Sequence, residues 1–205
     1  MSGHSTNLFR DSVIPSAKQI GFATTIYALV SLLLTGVSLI ISPVMSRVGT
    51  FRPVETIPGH LALIALLALL LGAAVVITER RLDLVLLLSI PTFAILTDLD
   101  HLPSIVGVAQ PIRPAHSLVF AAMAAFLIVV SLRRLDMGFA ALSGFSAHLV
   151  VDTGVIPPVS PLSFMYVNLS GLHLYFAVGA VTFAILSGLI SKERGRHDAY
   201  GLQHR

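Results

Sequence analysis

Six apolar segments, at 20–42, 58–78, 84–97, 117–132, 137–155 and 171–191, take up most of this 205-residue chain. The runs are continuous. A β-barrel would show alternating spans of about ten residues, so that architecture is excluded. Hydrophobic residues make up 55% of the chain and charged residues 11%, which is too apolar for an ordinary soluble domain. The expected fold is all-α: a polytopic transmembrane bundle of about six helices forming one domain over 20–191, with polar tails at 1–19 and 192–205. A span needs about 20 helical residues. The first, second and sixth segments meet that length. The third, fourth and fifth are short, which lets their polar ends dip below the headgroups. The first segment is longer than a signal-peptide core and has no small-residue cleavage pattern, so it reads as an uncleaved helix. Pro91 should kink the third segment. Gly138, Ser143, Gly144, Ser146 and Ala147 suit the fifth to burial among neighbouring helices. The loop that follows, with Pro157, Pro158 and Pro161, cannot be regular helix.

Basic residues orient the spans. With the N-terminus inside, Arg10, Lys18, Arg80, Arg81, Arg133, Arg134, Lys192, Arg194, Arg196 and Arg205 lie on the inner side, and only Arg47, Arg52 and Arg113 lie outside. This asymmetry sets the orientation of the chain, with the site-bearing ends of the segments on the outer side. It also agrees with a span count made without regard to charge. The net charge of +3 is read as orienting the chain in the bilayer, with no nucleic-acid partner. The chain has no cysteine, so disulfides, thiolate metal sites and cysteine nucleophiles are excluded.

Most residues suited to metal chemistry fall at the outer ends of these segments. His148 and Asp152 are spaced i, i+4, which puts them on one face of a helix. Imidazole and carboxylate are ligands of catalytic zinc and also suit manganese. Asp152 could instead orient His148 from behind. Asp98 and Asp100 end an apolar helix, where carboxylates oppose the macrodipole and repel each other unless a cation or a proton intervenes. His116 opens the fourth segment and His60 the second. Arg113 could pair with an aspartate or clamp an anionic oxygen. His101 and His173 could be ligands, proton carriers or plain interfacial residues. Each pair taken alone reads equally well as a polar contact within a bundle. Their convergence at one end marks a functional site, because ionisable groups are costly beside hydrocarbon.

From Pro58 to Pro161 the chain resembles the YdjM-like family of inner-membrane metal-dependent hydrolases, some of them under LexA control. The resemblance rests on Gly59-His60-Leu61-Ala62, Thr97-Asp98-Leu99-Asp100-His101, Arg113-x-x-His116-Ser117 and His148-x-x-x-Asp152 followed by a proline-containing loop. It implies His60, Asp98, Asp100, His116, His148 and Asp152 as metal-site residues. The order Asp, His, His-x-x-x-Asp is also similar to part of the zinc-dependent phospholipase C pattern. The chain lacks that fold's amino-terminal Trp and its later His-x-x-x-Glu, so one or two ions are expected in place of three.

The expected function is a membrane-embedded, metal-dependent hydrolase acting on a phosphoester of a lipid or lipid-linked molecule. Zinc is the expected ion, with manganese as the alternative. His60, His116 and His148 would supply nitrogen ligands. Asp98 or Asp100 would bridge or complete coordination, and Arg113 would stabilise phosphoryl oxygens. Two other classes compete with this reading: a metal transporter or sensor without hydrolytic activity, and a structural or partner-binding membrane protein.

Overall fold

The computed structural model describes residues 5–41, 57–79, 84–105, 113–152, 155–160, 162, 165 and 167–203. The fold is all-α. Six long helices carry it: α1 (Ser5–Ile41), α2 (Ile57–Glu79), α3 (Leu84–Leu96), α5 (Leu118–Leu132), α6 (Leu135–Val151) and α7 (His173–Gln203), with α4 (Leu102–Ile105) a single turn. Three 3₁₀ turns join them, at Thr97–His101, Pro114–His116 and Leu169–Gly171. A two-residue antiparallel ladder, β1 (Val155–Ile156) with β2 (Val167–Asn168), closes the loop before α7. Two helical stretches, Ala17–Ile40 and His173–Arg194, are long and apolar enough to cross a membrane, whereas Leu61–Val75, Leu118–Leu132 and Leu135–Val151 are shorter.

α3 includes Pro91 and is prolonged by the 3₁₀ turn at Thr97–His101. The structure departs from the sequence reading in two places. Stretches expected as polar tails continue the helices, because α1 starts at Ser5 and α7 runs to Gln203. α6 stops at Val151, one residue short of Asp152.

Helix directions follow from which residues meet. Gly144 of α6 lies against Ile90 and Ala94 of α3, and His148 bonds the Ala94 carbonyl, so α3 and α6 run the same way. Gln19 of α1 accepts a hydrogen bond from Arg134 beside the start of α6, and Tyr27 meets Thr97 at the end of α3. α1 therefore runs with them. Ser187 of α7 reaches the carbonyl of Asp136, and Ser143 reaches that of Ala180, so α7 runs opposite to α6.

Large apolar side chains are exposed on several helices, and some hydroxyls are buried among the apolar core. Leu33, Leu70, Phe126 and Leu189 are each more than half exposed on four different helices, while Ser31, Ser89, Ser143 and Ser187 are fully buried. An aromatic cluster fills the centre. Tyr27 packs on Phe93 and, edge-on, on Phe120, with ring centroids 5.1 and 4.8 Å apart. At the end of the bundle where α6 begins, buried Asp136 accepts from Arg134 (Nη2 2.6 Å, Nε 3.2 Å) and from Arg194 (Nη1 3.3 Å), tying α6 to α7. Arg134 carries the link on to α1 through Gln19.

Gly144 sets the spacing of α3 and α6. A Cβ there would come within 2.6 Å of the Ile90 carbonyl oxygen and 2.9 Å of the Ala94 nitrogen, both backbone atoms. The two helices cannot give way without separating. Gly144→Ala should therefore lower stability by about 1–3 kcal/mol, the usual cost of overpacking a filled core. Gly36→Ala is the control: nothing lies within 4 Å of its Cβ position, and relief of glycine's helix penalty should stabilise by up to about 1 kcal/mol. Thermal melts of the two variants in detergent test the contrast.

Candidate metal centre

The 3₁₀ turn Thr97–His101 makes two edges of one short segment. With three residues per turn, side chains at i and i+3 eclipse. One edge carries Asp98 and His101, whose Oδ1 and Nε2 atoms lie 3.3 Å apart. The other carries Thr97 and Asp100, both fully buried. The second 3₁₀ turn, Pro114–His116, starts with proline, which fixes the backbone for the turn. His116 at its end is fully buried. Ser117 caps α5 by accepting from the Phe120 amide at 3.0 Å. Its hydroxyl also donates toward the carbonyls of Pro114 at 2.8 Å and Ser160 at 3.0 Å. The Leu118 amide donates to the Pro158 carbonyl at 2.8 Å. The proline loop is thereby fastened to the turn that presents His116.

Nitrogen atoms from three elements converge on one carboxylate oxygen. Asp98 Oδ1 is 3.3 Å from His101 Nε2, 3.5 Å from His116 Nε2 and 3.4 Å from His148 Nε2. His116 and His148 approach each other Nε2 to Nε2 at 2.9 Å. Their other ring nitrogens are held from behind. His148 Nδ1 lies 2.9 Å from the Ala94 carbonyl oxygen, which can only accept, so Nδ1 carries the proton. His116 Nδ1 faces Asp100 Oδ2 at 3.0 Å in the same sense. In the neutral rings both Nε2 atoms therefore present lone pairs to each other, and only positive charge between or beside them relieves the contact.

The surrounding charges agree with that requirement. Burial raises the Asp98 carboxyl. Hydrogen bonding with His101 and His116 and the charges of His148 and His116 outweigh it, and hold the group below the ordinary carboxylate range. At Asp100, burial is likewise outweighed by the charge and hydrogen bond of His116 and by the charges of Arg113 and His101, so it too is held low. Burial and Arg113 act to lower the pKa of His116. The charge of Asp100 and the hydrogen bonds with Asp100 and Asp98 act more strongly, and the net shift is upward. The cluster thus draws in positive charge. Arg113 supplies some, with Nη2 at 3.0 Å from His101 Nε2 and beside His116, and Nη1 at 2.8 Å from Asp152 Oδ2.

Among the described residues, two groups could each hold a metal ion: Asp98 with His101 and His116, and His116 with His148 and Asp152. Within each, ligand atoms lie within 4.8 Å of one another. Shared His116 joins them. The donor set of imidazole nitrogens and carboxylate oxygens fits a divalent ion.

The structure brings together Asp98, His116, His148, Asp152 and Arg113, all expected from sequence, and adds His101, whose role the sequence left open. Two expectations change. Asp100, expected as a bridging ligand, lies on the far side of the His116 ring, where Oδ2 accepts from His116 Nδ1 and from the Ala115 amide at 3.0 Å. It orients a ligand and does not reach the convergence point. Asp152, expected one turn along a helix from His148, has extended backbone (φ −67°, ψ 144°) after the last helical residue. That geometry swings its carboxylate to Arg113 and to 3.7 Å from His116 Nε2. The side chain of His60, expected as a ligand, lies outside the described residues. His173 opens α7 with its Nε2 buried and unpartnered, and it joins neither group.

Comparison with protein-family models, with curated proteins and with solved structures finds no match. The candidate metal centre therefore rests on the geometry of this chain.

Purified protein should retain one or two divalent ions through size exclusion, read by elemental analysis. His148→Ala combined with Asp152→Ala removes two of the three side chains of one group and should release metal. Full metal content in that double variant would overturn the assignment.

Proposed function

We propose that the protein is a multi-pass, metal-dependent hydrolase of the plasma membrane, a member of the YdjM-like family. Its substrate on this reading is a phosphoester of a lipid or lipid-linked molecule at the extracytoplasmic interface. The observation that carries the proposal is the convergence of three histidines on Asp98 inside a bundle whose outer surface is apolar. Soluble monomers seldom expose contiguous apolar patches beyond a few hundred Å². Here large apolar side chains face outward on every long helix, which suits hydrocarbon as the surrounding solvent. Three imidazoles with carboxylates and no thiolate favour zinc, with manganese as the alternative.

When bound, such an ion acidifies water toward neutrality and draws charge from the attacked group. The chain's own residues do the rest. Ala94 and Asp100 hold the two buried imidazoles with Nε2 forward. Asp152 holds Arg113 by one arm of its guanidinium, at 2.8 Å. Arg113 and Asp98 are the partly exposed members of the cluster, while His116 and His148 are fully buried. A phosphoryl oxygen arriving from the open side would meet the guanidinium first, whose other arm faces His101 and His116. Lateral entry from the bilayer would let acyl or isoprenoid tails stay in lipid.

The transport reading fits less well. A permeation path needs polar groups on both sides of the midplane. Among the described residues, the layer between the metal cluster and Asp136 contains Ile90, Phe93, Phe120, Ile128 and Phe145, with the hydroxyls of Ser89 and Ser143 among them, all buried.

Turnover on a panel of phospholipids in mixed micelles tests the proposal. Hydrolysis should be lost with a chelator and restored by zinc or manganese. Arg113→Ala should lower kcat by roughly 10²- to 10³-fold, as for loss of one positioned donor to a developing oxyanion. A metal-loaded protein inert on every phosphoester would leave the sensor reading in its place. Orientation can be checked separately, because the chain has no cysteine of its own. Cysteines placed in 103–112 should react with an impermeant maleimide added to intact cells, and one placed at 133 should not. The opposite pattern would move the site to the cytoplasm.

A further inference from the structure

α1 lies outside the segment that carries the metal-binding motifs, yet it packs against both 3₁₀ turns of the metal centre. The contact is specific. Thr97 Oγ1 donates to the Phe93 carbonyl at 3.1 Å. Its only proton is thereby engaged, so Tyr27 is the donor in the 2.8 Å bond between Tyr27 Oη and Thr97 Oγ1. The Tyr27 ring is fully buried and wedged between Phe93 and Phe120. Thr97 immediately precedes Asp98, so this bond anchors the turn that carries three of the centre's polar residues.

One turn farther along, the two elements stay in register. Four residues of α-helix rise about 6 Å, and three residues of 3₁₀ helix rise about 6 Å. α1 and α3 run in the same direction, so Ser31 follows Tyr27 as Asp100 follows Thr97. Ser31 Oγ and Asp100 Oδ1 are both fully buried, and each is without a hydrogen-bond partner. Some helical hydroxyls turn back on their own helix, as Thr25 does to Gly21 at 2.8 Å and Thr92 to Leu88 at 2.7 Å. Ser31 does not. A hydroxyl and a carboxylate oxygen are complementary, and a buried polar pair beyond direct reach is commonly joined by one water.

We propose that Tyr27 and Ser31 of α1 are positioning residues for the metal centre, Tyr27 fixing the 3₁₀ turn through Thr97 and Ser31 holding the free oxygen of Asp100 through a bridging water. Asp100 then keeps His116 aimed, because its other oxygen binds His116 Nδ1. Ser31, Asp100 and His116 form a relay ending at the ion. The inference rests on the metal-centre reading above.

The test is zinc affinity of the full-length chain in detergent, by competition with a chromogenic chelator, alongside melting temperature in excess chelator. Tyr27→Phe and Ser31→Ala should each weaken zinc binding roughly ten- to a hundredfold, the usual effect of removing a group that orients a ligand. Ser31→Thr keeps the hydroxyl and should bind zinc like the wild type. Ser187→Ala removes an equally buried hydroxyl, bonded to the Asp136 carbonyl at 2.7 Å, and should leave zinc affinity unchanged. Ser31→Ala should also leave the metal-free melting temperature unchanged, which separates aiming from folding. If Tyr27→Phe does not fold, the Ser31 pair decides. Wild-type affinity in Ser31→Ala, or equal weakening in Ser31→Thr, would overturn this inference and leave the metal centre standing. A wild-type chain that takes up no zinc would remove both.

Discussion

Lone pairs of like kind cannot be packed together in a dry interior unless positive charge lies among them. The bundle is organised around that constraint at one end. Two imidazole nitrogens meet at 2.9 Å with a carboxylate oxygen 3.4–3.5 Å from each. Two unit charges 4 Å apart interact by about 4 kcal/mol at an effective dielectric of 20. Asp98 and Asp152 beside the same histidine would therefore strain the fold without compensation. The guanidinium of Arg113 offsets part of this, and the upward shift at His116 is the same demand expressed as proton affinity. The donor set around them is also one that could hold a divalent ion. The opposite end obeys the same rule with protein groups alone, since Asp136 is neutralised by Arg134 and Arg194.

Between the two polar ends, close helix contact does the structural work. Gly144 lets α6 approach the backbone of α3. His148, one turn on, then reaches the Ala94 carbonyl. A larger residue at 144 would separate the helices and withdraw an imidazole from its partners. Packing and chemistry are thus coupled across one turn of one helix. The same helix bonds α7 through Ser143 and through the Asp136 carbonyl, so its position is fixed from both flanks.

Much of this was legible in the sequence because helix spacing is periodic and hydrocarbon tolerates few charges. Continuous apolar runs gave the helices. Asp98, Arg113, His116, His148 and Asp152 stood out because they interrupt or bound those runs. The errors came from local backbone geometry. The i, i+4 rule put Asp152 on a helix that in fact ends before it, and the Asp-x-Asp pair was treated as two equivalent ligands. In a 3₁₀ turn, residues two apart face different ways, so Asp98 faces the three imidazoles while Asp100 holds one of them from behind. The Arg134–Asp136 link was readable in principle, since Asp136 is an acidic residue beside two arginines at the start of an apolar run. Tyr27 carried no signal, because a tyrosine within an apolar segment is ordinary core.

That last omission bears on how a centre of this kind is held. Side chains that face the convergence point come from α3's extension, the Pro114–His116 turn and the end of α6, and none of them comes from α1. Two of these three carriers are short 3₁₀ segments, which have poorer hydrogen-bond geometry than α-helix and are rarely long. Such segments need support from outside themselves. α1 is the longest helix in the described chain, and its buried face offers a phenol and a hydroxyl where the Thr97–His101 turn has a hydroxyl and a carboxylate. A rigid helix standing behind a short turn limits how far its ligands can wander. Precision in the position of Asp98 and His101 therefore depends on a helix that contributes no ligand of its own.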